Sequence, residues 1–185
     1  MTNRTAGFAR AAHAVETRAT GLFLAVCVIW LAGIAAAPWA AARTRPGSPA
    51  YVAATAVYLV GSVICHQQDR RSFHLDGVQL PVCARCLGIY AAAPFGAWWG
   101  WMLRRRRRAR WPSDGRDPRW AAWLVAAAMP TVMTVLAEWA SGAMTPGGLR
   151  FAAGAPLGFV VAWFIAVAPG SDAAAAARRP AGVLE

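Results

Sequence analysis

The chain has 185 residues, enough for one domain with a sizeable core or for a handful of membrane spans. It is 58% apolar, and about 65% when its Gly replace its Tyr in the count, against roughly 45–50% for a soluble domain, which excludes disorder and argues against an ordinary soluble fold. All 19 basic residues are Arg, set against 8 acids for a net charge of +11; they lie in short runs between apolar stretches, with no stacking aromatics along a basic stripe, so the partner they indicate is a lipid bilayer and not nucleic acid.

Uncharged windows mark the elements, because a bilayer core about 30 Å thick needs close to 20 apolar helical residues. After an N-terminal tail over residues 1–20, the first window holds the 24 uncharged residues between Arg18 and Arg43 and predicts a first transmembrane helix over 21–42. The same stretch fits a signal anchor, or a cleaved signal peptide with small residues at Ala40 to Ala42, but it exceeds the usual 7–15-residue signal core. A Pro46-Gly47-Ser48-Pro49 turn follows. Residues 50–171 then read as a four-helix membrane core whose windows are Ala50 to Cys65, Cys86 to Leu103, Trp120 to Ala137 and Phe151 to Ser171, the first of them short at 16 residues. Residues 172–185 read as a disordered tail. The predicted fold is therefore all-α, an integral membrane helical bundle of about five transmembrane helices.

Trp39, Trp98, Trp99, Trp101, Trp120 and Trp139 fall near window ends, where amphipathic rings favour the headgroup region. Gly96 to Gly100 and Gly154 to Gly158 fit the small-xxx-small pattern and predict close packing of the third and fifth spans. Pro94, Pro130 and Pro156 predict kinks. The densest arginine cluster, Arg104 to Arg108 with Arg110, Arg116 and Arg119, sets that loop in the cytoplasm. Five spans then put the N-terminus outside, with 12 loop arginines inside and 7 outside, although Arg4, Arg10 and Arg18 oppose the assignment. The expected location is the cell membrane, multi-pass, with the segment from Cys65 to Cys86 extracytoplasmic.

That segment carries three of the four cysteines and two of the three histidines. Pro81 suits a first helical position, since its missing amide costs nothing there, so Cys83 and Cys86 fall in the opening turns on one face. The helix N-terminus and Arg85 favour thiolate there. Cys65 and His66 stand at the other mouth of the loop.

Two chemistries suit this set. Cys65, Cys83 and Cys86 with one imidazole make a Cys3His site for zinc, with iron or copper also acceptable. Adjacent Cys65 and His66 seldom reach one ion together without strain, so His74 is an equal candidate. Alternatively Cys83 and Cys86 form a redox CxxC that exchanges with Cys65, or a single disulfide from Cys65 clips two helix ends together. Cys27, in the first span, reads as an inert buried thiol. If the third and fourth windows each cross once, Glu138 and Arg150 share the cysteine face. An acid at the end of a span is a functional-site hypothesis: Glu138 is a ligand, a partner for a ligating His, a proton acceptor, or simply paired with Arg150 or Arg71.

Cys65-His66-Gln67, then Arg71-Ser72-Phe73, then Pro81-Val82-Cys83-Ala84-Arg85-Cys86-Leu87-Gly88-Ile89-Tyr90 resembles the motif of DUF2085, a family of small bacterial and archaeal membrane proteins. The resemblance runs from Tyr51 to Phe164. A looser part, Pro130, Glu138, Arg150, Gly154 and Gly158, is similar to the family's Pro-led acidic helix and its Arg followed by glycines at four-residue steps. The polar residues that usually precede that Arg are here Ala and Gly. The resemblance implies a membrane class and a residue set, without an activity. Quinone-linked thiol oxidoreductases also set CxxC at a helix end, yet they carry a second cysteine pair that this chain lacks. The leading expectation is a membrane protein with a Cys/His metal site at the membrane surface; the alternatives are a thiol-disulfide oxidoreductase and a small solute carrier lined by the kinked spans. Oligomeric state is not legible.

Overall fold

The structure, a computed structural model, describes residues 2–106 and 118–167. The tail at 172–185 and the cluster members Arg107, Arg108, Arg110 and Arg116 lie outside the described residues. Five α-helices and one β-hairpin follow in order: α1 (Thr2–Arg43), α2 (Pro49–Ile64), a single 3-10 turn (Asp69–Arg71), β1 (Ser72–Leu75), β2 (Val78–Cys83), α3 (Ala84–Arg105), α4 (Pro118–Ser141) and α5 (Gly147–Val167). Helix α1 starts at Thr2, so the segment expected as a tail is helical. Among the described residues three stretches are long and apolar enough to cross a membrane, Ala14–Arg43, Arg119–Ser141 and Gly147–Val167, while α2 is a shorter apolar helix. Their outward faces are apolar: Leu22, Ile29, Val63, Trp123 and Trp139 are all exposed, as lipid-facing helices require.

The centre of the bundle is a seam between α3 and α5. These helices run side by side in the same direction, and glycine allows their backbones to touch. A Cβ at Gly88 would strike the Phe151 carbonyl, at Gly96 the Phe159 carbonyl, at Gly154 the Arg85 carbonyl and at Gly158 the Ile89 carbonyl. The expected packing of the third and fifth spans is thus present, and it reaches further up α3, to Gly88, than the Gly96-Gly100 pair indicates. Helix α4 joins through Thr131 Oγ1, which donates to Ala153 O at 2.8 Å.

The ends of the helices fix their directions. Near the start of the apolar Ala14–Arg43 stretch of α1, Thr20 Oγ1 donates to Ala166 O at 3.2 Å and Glu16 accepts from Arg104 Nη1 at 2.6 Å. Both partners lie at the finish of α5 and α3. At the far end of α1, Arg43 donates to Asp76 at 2.8 Å, on the hairpin. Helix α1 therefore runs antiparallel to α3 and α5, and α2 with the hairpin occupies the end where α3 begins.

The hairpin corrects a purely helical expectation. Its strands pair antiparallel with Ser72 opposite Cys83, His74 opposite Gln79 and Leu75 opposite Val78. Asp76 and Gly77 have φ of 51° and 78°, the two left-handed residues that a tight two-residue turn needs and that Asp-Gly supplies at low cost. Pro81 accordingly lies in β2 and not at the head of a helix, and α3 begins after Cys83. Ile34, Cys65, Leu80 and Val82 form the buried cluster that holds the hairpin against α1 and α2.

Candidate metal centre

Three elements each deliver one sulfur. Helix α2 opens on Ser48, whose hydroxyl accepts the Tyr51 amide, with Pro49 at the first helical position. It ends where Cys65 turns extended, at φ −147°. Strand β2 ends at Cys83, which is the N-cap of α3, and Cys86 follows one turn later. The Cys83 amide donates to Cys65 Sγ at 3.2 Å. The sulfurs of Cys65, Cys83 and Cys86 all lie within 4.8 Å of one another. A tetrahedral zinc with Zn–S of about 2.3 Å implies sulfur separations of about 3.8 Å, so side-chain adjustments of roughly an ångström would close the set on an ion.

Gln67 locks this geometry. It is held in the left-handed region at φ 44°, a conformation that persists in a non-glycine residue only when its surroundings impose it. Its side-chain amide donates to Tyr58 O at 2.8 Å and Pro81 O at 2.7 Å, and its own carbonyl accepts from Gln79 Nε2 at 2.6 Å. One side chain, two residues after Cys65, thus ties α2 at Tyr58 to β2 at Pro81, two residues before Cys83. Gly61 leaves room for the tie, since a Cβ there would meet the Pro81 carbonyl and come within 2.8 Å of Gln67 Nε2.

The cluster also tunes one thiol. The Cys86 thiol, donating towards Cys83, holds the Cys83 thiol down to about 5 against the opposing effect of burial; the Cys86 and Arg85 amides at the helix start and the Cys65 thiol add to the lowering. Cys83 is therefore a thiolate at neutral pH, the form that binds metals and attacks disulfides.

A cavity of about 350 Å³ opens over the sulfurs. His66 is exposed and lines it, as do Arg71, Arg85 and Arg150. His74 does not: it sits on β1, its Nε2 2.8 Å from Asp69 Oδ1, and neither histidine belongs to the group formed by the three sulfurs. Cys27, on α1, is also outside the group. Behind the cavity, Glu138 Oε1 accepts from Arg150 Nε at 2.7 Å and lies 3.4 Å from Arg85 Nη2, which also donates to Thr134 Oγ1 at 3.1 Å. The side chains of Arg150 and Glu138 are 3% and 9% exposed, so this is a buried ion pair backing the thiols. Gln67, Thr134 and the hairpin were not singled out from sequence as site-forming. The Asp76-Gly77 turn between alternating residues was the legible signal for the hairpin; the roles of Gln67 and Thr134 depend on contacts across the fold that carry no local pattern.

Fold and site together define a small helical membrane protein with a cysteine pocket at one end of its bundle. The chain belongs to the DUF2085 family, described as a predicted membrane protein, whose model matches residues 65–164, more than half of the chain. The chain is 50% identical over 40 residues to the uncharacterised protein MJ1492 of Methanocaldococcus jannaschii, a match that covers 22% of this chain and 26% of that relative. No solved structure matches.

Proposed function

We propose that this is a membrane metalloprotein whose ion, zinc on the chemistry of its donors, is held by Cys65, Cys83 and Cys86. The observation that carries the reading is the approach of three sulfurs from two distant parts of the chain to within 4.8 Å. Thiolate-rich tetrahedral sites are the usual environment of zinc. His66 is the better fourth ligand, because it lines the cavity over the sulfurs while His74 is engaged with Asp69. Arg71, Arg85, Arg150 and Glu138 then form the charged surroundings that orient the site and set its net charge. Metal analysis of the purified full chain tests this. One equivalent of zinc, lost in Cys83→Ser while the fold persists, is expected; a natively folded wild type that takes up no metal refutes it.

A second reading, a thiol-disulfide oxidoreductase, is favoured by one observation, the approach of the Cys83 and Cys65 sulfurs to within 4.8 Å, with the Cys83 thiol lowered by its bond from Cys86. Thiol trapping separates the two. In an enzyme, Cys65 and the CxxC pair change oxidation state together when a quinone or a dithiol is added.

We further propose four crossings, α1, α3, α4 and α5, with α2 and the hairpin returning on one face. Glu16 and Thr20 meet the ends of α3 and α5, which gives α1 the opposite direction. Helix α3 lies along α5 throughout, so it crosses where α5 does. At 16 residues, α2 is about 24 Å long and short of the bilayer core. Arg4, Arg10 and Arg18 then join the Arg104 cluster, giving 13 arginines on the cytoplasmic side and 6 on the other, which removes the conflict that five spans create. The cysteine mouth stays extracytoplasmic. Reporter fusions at the N-terminus test this: a cytoplasmic signal supports four crossings, and an external one restores five.

A further inference from the structure

The cavity over the sulfurs contains more positive charge than a metal site requires. Three arginines line it, Arg71 at the mouth and Arg85 and Arg150 deeper, with no carboxylate among the lining residues. Glu138, behind them, takes one nitrogen from each of the deeper two. That leaves Arg150 Nη2 and Arg85 Nε buried with no hydrogen-bond partner, on residues of which Arg150 is only 2% exposed. Buried polar groups are almost always satisfied, so two unpaired guanidinium nitrogens on arginines that themselves line the cavity mark donor capacity beside it that Glu138 does not meet.

We propose that this cavity binds a phosphate-class oxyanion, held by Arg150 and Arg85 and capped by Arg71. The guanidinium fork matches the oxygens of such a group. Donors on separate arginines suit a multivalent, tetrahedral anion better than one carboxylate, whose pairing with the same two arginines Glu138 already provides. The volume, about 350 Å³, lies at the low end of small-ligand sites, roughly 300–1,000 Å³, and accommodates free phosphate, a small phosphorylated solute or a lipid headgroup. The inference rests on the arginines and the cavity and stands without the metal ion.

The test is calorimetric titration of inorganic phosphate into the full chain in a neutral detergent, zinc-loaded and zinc-free, beside Arg150→Lys and Arg71→Gln. Lysine keeps a cation for Glu138 but lacks the second terminal nitrogen. Saturable binding is expected with and without zinc, weakened on the order of tenfold or more by Arg150→Lys and about threefold by Arg71→Gln. If free phosphate is silent but discs containing phosphatidylglycerol raise the melting temperature above discs of phosphatidylcholine, with the same dependence on the variants, the phosphate is that of a lipid headgroup. Should Arg150→Lys fail to fold, wild type and Arg71→Gln decide the matter by themselves. Absence of binding in both arms, binding indifferent to the variants that fold, or binding that appears only with zinc overturns the proposal; the last result would assign the anion to the ion. Phosphate binding in protein that takes up no zinc would refute the metal reading and leave this one intact.

Discussion

Each end of the α3–α5 pair buries an arginine against a glutamate, and the two ends treat it differently. At the end away from the cysteines, Arg104 gives Nε to Ala166 O at 2.5 Å and Nη1 to Glu16 at 2.6 Å, and Thr20 shares the same carbonyl. The arrangement closes the finish of α5, where the last carbonyls have no helical partner. At the cysteine end, Arg150 and Arg85 converge on one oxygen of Glu138 and still have orphaned nitrogens beside a cavity. The same pair of residue types seals one end and leaves guanidinium nitrogens unpaired at the other. Structural ion pairs are satisfied internally; a binding site keeps unmet capacity.

The largest effect should come from the seam that joins these ends. Gly158→Leu or Gly88→Val forces a side chain into a backbone carbonyl that cannot swing aside. A loss of more than about 3 kcal/mol is expected, read as absence of folded protein in detergent, because overpacking against backbone has no cheap relief. Near-native melting of Gly158→Leu would mean that the two helices are not in backbone contact.

Next in size is the difference between the ends. Glu138→Ala leaves two buried arginines facing each other and should cost about 3–5 kcal/mol, as removing one partner of a buried pair does. Glu16, whose side chain is 22% exposed, should cost less, since Arg104 keeps its carbonyl and gains water. Comparison of the two melting temperatures checks this, and equal losses would erase the distinction between sealed and open ends.

Metal removal sharpens the comparison from the cysteine side. Zinc held at a hundred times its dissociation constant adds about 2.7 kcal/mol by mass action. A chelator should therefore lower the melting temperature of wild type and leave Cys65→Ser unmoved, whereas Arg104→Met, at the other end, should keep the chelator response in full.

A smaller effect is local to one thiol. With metal removed, Cys83 should be alkylated at a rate that rises through a midpoint near pH 5, since a lowered pKa leaves the thiolate present above that value and lost below it. In Cys86→Ser a hydroxyl can still donate to Cys83, so the midpoint should stay low; in Cys86→Ala it should climb towards the ordinary thiol value of 9.0. An unchanged midpoint in Cys86→Ala would locate the cause at the helix start instead. The smallest expected change is Thr20→Val, which deletes a hydroxyl proton shared between Glu16 O at 2.9 Å and Ala166 O at 3.2 Å, of about 0.6 kcal/mol by analogy with polar contacts between membrane helices. Thermal unfolding measures it.

The amino-acid sequence by itself determined the membrane class, the apolar helices and the three cysteines that the structure brings together. Uncharged runs separated by arginine are dictated by the cost of burying charge in hydrocarbon, and that cost acts on each segment independently of its neighbours. Cysteines at spacings of 18 and 3 residues announce shared chemistry for the same local reason. Where Asp76-Gly77 met a run otherwise read as loop and helix, the local signal for a hairpin was present, and Pro81 concealed it by suiting a helix start equally well. Other decisions were tertiary. That Cys65 meets Cys83 depends on Gln67 bridging α2 to β2. That α1 runs against α3 and α5 depends on Glu16 and Thr20 finding the ends of α3 and α5. That Arg150 keeps a spare nitrogen depends on Glu138 being shared with Arg85. Each of these is a contact between residues far apart in the chain, whose energy exists only once the fold has brought them together, so no window of sequence contains it.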